Sequence, residues 1–194
     1  MKRLAYLTTA LLLAVGATAP GYAADSYEID PQHAWVAFSL NHGGWANATG
    51  SFDTISGSIT FDREDVTASS VSVTIASSSI DTGFADRDRD LQSPDFFNAV
   101  EFPEITFVST GIEKTGDTTA LITGDLTLVG VTKPVVLDAT WNGESPLPWD
   151  AAALKSGFTA TATITPADFG MAKVTAFGLG PDVELTINIE AFKK

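Results

Sequence analysis

The 194-residue chain has no cysteine. Disulfides, zinc–thiolate sites and iron–sulfur clusters are therefore outside its chemistry. Histidine is nearly as scarce: His33 and His42 are the only two, and no partners for a metal site are evident around them. Basic residues are few. Eleven Lys and Arg stand against 24 Asp and Glu, for a formal net charge of −13. Such an acidic surface argues against nucleic acid and against docking on anionic membranes, and it favours solubility. No apolar run reaches the about 20 residues that a membrane-spanning helix needs. Catalytic signatures are missing too. There is no G-x-S-x-G elbow and no thiol nucleophile. The run Asp86-Arg87-Asp88-Arg89-Asp90 could open a calcium loop. Such a loop needs glycine at its sixth place and glutamate at its twelfth, where Leu91 and Phe97 stand. No catalytic residue, metal site or cofactor is assigned.

What is present begins with Met1-Lys2-Arg3, an apolar stretch over residues 4–15, and the small-x-small triplet Gly21-Tyr22-Ala23. This is the pattern of a secretory signal peptide. Residues 1–23 are expected to be removed, leaving 24–194 as one domain whose charge falls to −15 once Lys2 and Arg3 are gone.

The mature part alternates apolar and polar residues in eight stretches: 34–42, 51–62, 70–76, 104–109, 120–128, 135–141, 158–165 and 183–190. Alternation with a period of two is the mark of a strand with one dry face and one wet face. Eight short strands with turn-like links predict an all-β sandwich or barrel. Phe52 is out of phase with Ile55, Gly57 and Ile59, which places a bulge or bend near Ser56-Gly57. Thr115-Gly116-Asp117 reads as a hairpin turn. Residues 86–99 lack the period of two and read as one or two short helices, with Ser93-Pro94 as a start signal. Residues 142–157 read as a long loop with one helical turn at 149–154. His42 shares a face with Val36, Phe38 and Leu40. It is either a satisfied core histidine or a polar anchor at the mouth of a cavity.

The segment Gly124-Asp125-Leu126-Thr127-Leu128-Val129-Gly130-Val131-Thr132-Lys133-Pro134-Val135 resembles the YceI family. Further matches follow in order: Tyr27-x-Ile29-Asp30-Pro31 with His33, Phe38 and His42; Gly50-x-Phe52 and Gly57; Asp81-Thr82-Gly83; Arg87-Asp88 with Leu91; Ser93-x-Asp95-Phe96-Phe97; Phe102-Pro103-x-Ile105-x-Phe107; and Asp168-Phe169-Gly170-Met171. One position departs: Pro166 stands where the family usually has arginine, so any contact made by that arginine is missing here. The resemblance implies an eight-stranded antiparallel, lipocalin-like barrel with short helical elements, exported to the periplasm. It also implies a hydrophobic pocket for a long-chain amphiphile, polyisoprenoid or quinone-like.

Alternation then nominates Val36, Phe38, Leu40, Ile59, Phe107, Ile122 and Leu137 as pocket lining. Phe84, Leu91, Phe96, Phe97 and Phe169, which interrupt the strand pattern near glycines, are gate or cap candidates at a rim. His42 and Arg87 are the polar anchor candidates. The expected partner is a long-chain lipid. Nucleic acid and stable membrane insertion are not expected, and a homodimer is left open. The competing readings are an envelope module that works through its acidic surface, and a hydrolase built on an Asp/Glu pair.

Overall fold

The structure is a computed structural model and describes residues 24–194; the expected signal peptide lies outside the described residues. Ten strands form it: β1 Asp25–His42, β2 Ala46–Phe52, β3 Ile55–Phe61, β4 Ser70–Ala76, β5 Ile80–Asp81, β6 Glu104–Lys114, β7 Thr119–Leu128, β8 Val131–Leu147, β9 Asp150–Ile164 and β10 Val183–Lys193. All pair antiparallel in one sheet, and β1 also pairs with β10, which closes the sheet on itself.

Two of the staves are bent. β2 pairs with the second half of β1 and β3 with its first half, so the two are one stave broken at Asp53-Thr54. β4 and β5 are another, broken by the 3-10 turn Ser77–Ser79. Eight staves therefore form the wall, as the alternation and the resemblance predict. A closed ring removes the sheet edges that would otherwise invite association.

The bend in the second stave falls three residues ahead of the place expected. The break lets both Phe52 and Ile55 turn inward and be buried. Gly57 is needed for another reason: with φ +151°, it brings its backbone against the Ser72 carbonyl, leaving no room for a Cβ.

The expected loop at 142–157 is instead a hairpin. β8 runs on to Leu147 and β9 starts at Asp150, with bulges after Trp141 and Pro146. Those bulges break the period of two and hide the strand in the sequence. Its prolines are tolerated because β8 is paired on one side only at both ends. Pro134 precedes its pairing with β9, and Pro146 follows its pairing with β7. In the 86–99 segment only α1, Ala85–Leu91, is helical. Ser93-Pro94 starts a chain of turns in which the Ser93 carbonyl accepts from the Phe96 and Asn98 amides.

The two ends of the barrel differ. One carries the 43–45 hairpin, α1, the turns at 92–97, the Val129-Gly130 turn and two 3-10 segments, Pro166–Phe169 and Ala172–Phe177. Their apolar side chains meet Leu40, Phe52, Leu126 and Leu128 in a dense cluster. The 3-10 segment is tied to the 43–45 hairpin by Gly43 N–H to Gly178 C=O, 2.8 Å, and Gly180 N–H to Asn41 C=O, 2.7 Å. The other end carries residues 62–69, the 115–118 hairpin and the Pro148-Trp149 turn.

Candidate functional site

The wall turns hollow on moving away from the plugged end. A cavity of about 180 Å³ runs along the barrel axis, floored by Phe107, Leu126 and Leu185 and walled by Ile59, Ile75, Ile122, Leu137, Ile187 and Ile189. Its mouth lies at the end opposite the plug, between Val66 and Ser69 of the 62–69 loop, residues 116–119 of the β6–β7 hairpin, and Thr140-Trp141 of β8. The volume is of the order of an engineered apolar cavity of roughly 150 Å³ that admits benzene.

Five of the seven nominated lining residues face this cavity: Val36, Ile59, Phe107, Ile122 and Leu137. Phe38 and Leu40 do not. They stand further along β1, inside the plug. Alternation says which face a residue takes, but not how far along the barrel it sits, so it cannot separate plug from cavity. Ile29, Phe61, Trp141, Phe158, Ile187 and Ile189 also line the cavity and were not nominated. The signal for some of them was in the same pattern, since Phe61 follows Ile59 by two and Ile187 and Ile189 are odd places of the last run.

The gate, cap and anchor candidates stand away from the cavity lining. Leu91, Phe96, Phe97 and Phe169 belong to the plug. They cap the barrel, but at its closed end and not at a rim. Phe169 is nearly fully buried and Phe97 meets the Phe52 ring edge-on at 5.3 Å. Phe84 is 58% exposed and lies outside, beneath the Arg87 guanidinium at 5.9 Å. Arg87 spends its donors on Thr82, with Nε to Oγ1 at 2.8 Å and a terminal nitrogen to the carbonyl at 2.9 Å. His42 is exposed, edge-on to Trp45 at 5.7 Å and bridged by backbone to Leu179. It is not a core histidine, and neither His42 nor Arg87 reaches the cavity. Pro166 is buried at the start of its 3-10 turn, within the closed end.

The polar groups near the mouth are different ones. Tyr27 is fully buried, and its hydroxyl donates to Glu144 at 2.6 Å while accepting from Arg63 at 3.1 Å. Arg63 pairs with Glu144 at 2.6 Å and lies over the Trp141 ring at 5.0 Å. Burial and the bond to Glu144 push the Tyr27 phenol up to about 12. Burial also acts to raise the Glu144 carboxyl, but bonds from Tyr27 and Arg63 outweigh it and hold it below its ordinary value. The trio clasps the 62–69 loop to β8 beside the mouth.

A second cluster explains the Asp30-Pro31-x-His33 motif. Residues 30–33 bulge out of β1 between its two stretches of pairing with β10. Asp30, His33 and Glu190 bring one ligand atom each within 4.8 Å of one another. Lys155 fills the space between them, with its ammonium 2.7 Å from Asp30, 3.3 Å from His33 Nδ1 and paired to Glu190. The centre of the trio is thus already held by a cation from the chain itself.

Residues 27–191 match the YceI-like domain. A UPF0312 protein of Pseudomonas savastanoi pv. phaseolicola is 40% identical over 191 residues, which cover 97% of this chain and 94% of that protein. The YCEI protein of Campylobacter jejuni, known from crystal structures, superposes with a TM-score of 0.69 at 29% identity, over 96% of this chain and 99% of that one. A polyisoprenoid binding domain from Saccharophagus degradans gives a TM-score of 0.62 at 16% identity, over 87% and 98% of the two chains, a likeness of fold alone.

Proposed function

The chain belongs to the family of YceI-like domains, and from that premise we propose that it holds a long-chain amphiphile, polyisoprenoid or quinone-like, inside the barrel. The observation that carries the reading is the cavity itself: apolar along its length, plugged at one end and open at the other. Such a blind tube takes an extended hydrocarbon chain end first and leaves the head at the mouth. Each CH₂ moved out of water contributes about 0.8 kcal/mol. A segment of about ten carbons therefore gives roughly 8 kcal/mol gross, from which ordering and association costs subtract. A longer ligand projects through the mouth or widens the bore. The Saccharophagus domain, named for polyisoprenoid binding, shares the fold. The work proposed is sequestration or transport and makes or breaks no covalent bond.

Native mass spectrometry of the purified mature protein with a C20 isoprenoid tests this. A one-to-one adduct that survives gentle activation is expected. A persistent apo mass across micromolar to millimolar lipid would overturn the reading and leave the acidic surface as the working part.

Export belongs to the same proposal. Residues 1–23 direct the chain to the periplasm, where a lipid carrier would cross the water between membranes. Fractionation of a Gram-negative host should place the protein in the periplasm with Ala24 as its first residue. Retention of the full-length chain in the cytoplasm would refute it.

A further inference from the structure

The head group has a sign. Resting on the proposed lipid reading, we infer that the mouth accepts an uncharged or cationic head and rejects an anionic one such as a phosphate or diphosphate. Among the residues that line the cavity, Asp117 is the sole ionisable one. The other polar residues of the lining are Trp141, whose indole N–H donates to Ser156, and hydroxyl residues, of which Ser69 accepts from the Asp62 amide, Thr119 bonds Thr115 and Thr159 bonds Asn142. A hydroxyl donates and accepts equally well, whereas a carboxylate accepts only. This rim suits a head that gives or takes single hydrogen bonds, such as an alcohol. It offers a diphosphate no cation.

The surroundings point the same way. The 62–69 loop brings Asp62, Glu64 and Asp65 to this end of the barrel. Three cations are near. Lys193 ends β10, pairs with Asp25 at 2.6 Å and helps to hold Glu144 charged. Arg63 is already bonded to Glu144 and Tyr27 and stacked on Trp141. Lys114 ends β6, exposed and outside the cavity lining. An arriving diphosphate would have to break the Arg63–Glu144 pair or the Lys193–Asp25 pair, and leave a carboxylate without its bonded cation. Charges that have lost their partner in a partly dry site are costly. Repulsion by Asp117 at contact range adds to this, and because the rim is wet it weakens with salt.

The test uses three ligands with one chain: geranylgeraniol, geranylgeranylamine and geranylgeranyl diphosphate, titrated into the mature protein at low and high salt. The alcohol and the amine are expected to bind at least about tenfold more tightly than the diphosphate, a gap that narrows at high salt. Asp117→Lys should raise diphosphate affinity about tenfold while leaving the alcohol within about twofold. Arg63→Gln should leave the diphosphate unimproved. Diphosphate binding as tight as the alcohol overturns the inference while the lipid reading stands. So does a gap that neither salt nor Asp117→Lys alters. Failure of all three ligands to bind overturns the lipid reading itself, and this inference with it. Asp117 sits in an exposed hairpin, so its replacement leaves folding intact; a circular dichroism melt of the variant checks that.

Discussion

Asp30 keeps its charge almost out of water. Burial works against the carboxylate, but bonds from Lys155, the Gln32 amide and His33 more than offset it and bring the group down to about 2. Its folded value lies below its unfolded one, so its contribution to stability is full above about pH 4 and is lost as pH falls toward 2. Asp30→Asn should cost about 2–3 kcal/mol at pH 7, because it strips Lys155 of one partner in a half-dry site. Urea unfolding of wild type and variant should show that gap shrinking between pH 4 and pH 2; a gap that stays constant sinks the assignment. Ala139 makes the opposite kind of point, since it lines the cavity with the smallest of side chains. Ala139→Phe should fill the bore, lowering lipid uptake at least about tenfold with little change in melting temperature. His42, exposed at the plugged end, sets the control: His42→Ala should leave uptake unchanged, and a clear loss would mean that ligand enters there.

The 62–69 loop depends on a clasp whose parts come from three elements. Tyr27 lies on β1, Arg63 follows β3, and Glu144 is on β8. Glu144→Gln keeps the shape but removes the charge that pairs Arg63. It should cost about 1–2 kcal/mol and speed amide exchange through 62–69. Acid should do the same to the wild type. The folded Glu144 value is depressed, so the clasp holds at neutral pH and releases as pH falls through the acidic carboxylate range. Hydrogen-exchange mass spectrometry decides this, and equal exchange in variant and wild type would show the loop to be held by something else. Elements such as this one were poorly legible in the sequence. Arg63 and Glu144 are 81 residues apart by number, and no local pattern joins them. The family-like segment 124–135 was legible as a motif, but its role is structural. It is the β7–β8 hairpin, with Val129 at φ 50° and Gly130 at φ 73° in a two-residue turn that tucks into the plug.

For the molecule as a whole, the eight staves could be read from alternation because each has one wet face and one dry face over the stretch between its bulges. Position along the axis could not be read, since a leucine facing the plug and a leucine facing the cavity occupy the same phase of the same pattern. Phe38 and Leu40 share the phase of Val36 on β1 but lie in the plug, and the phenylalanines near glycines cap the closed end. The division into a solid half and a hollow half has its own thermodynamic signature. Leu128 is 4% exposed and surrounded by plug side chains, without touching the cavity. Leu137 faces the open bore, so one side of it has no neighbours to lose. The same substitution should therefore cost different amounts: about 3–5 kcal/mol for Leu128→Ala, where a new void opens in tight surroundings, and about 1–2 kcal/mol for Leu137→Ala, which only enlarges a void already present. Bound lipid should close part of that difference from the other side. At a hundredfold excess over Kd, a ligand adds about 2.7 kcal/mol to a protein that binds it only when folded. The wider bore of Leu137→Ala should hold the lipid less tightly than the wild type. Urea unfolding of the two variants with and without the C20 isoprenoid measures all of this. Equal losses for Leu128→Ala and Leu137→Ala would mean that the barrel is packed alike along its axis, and the container would have to be given up.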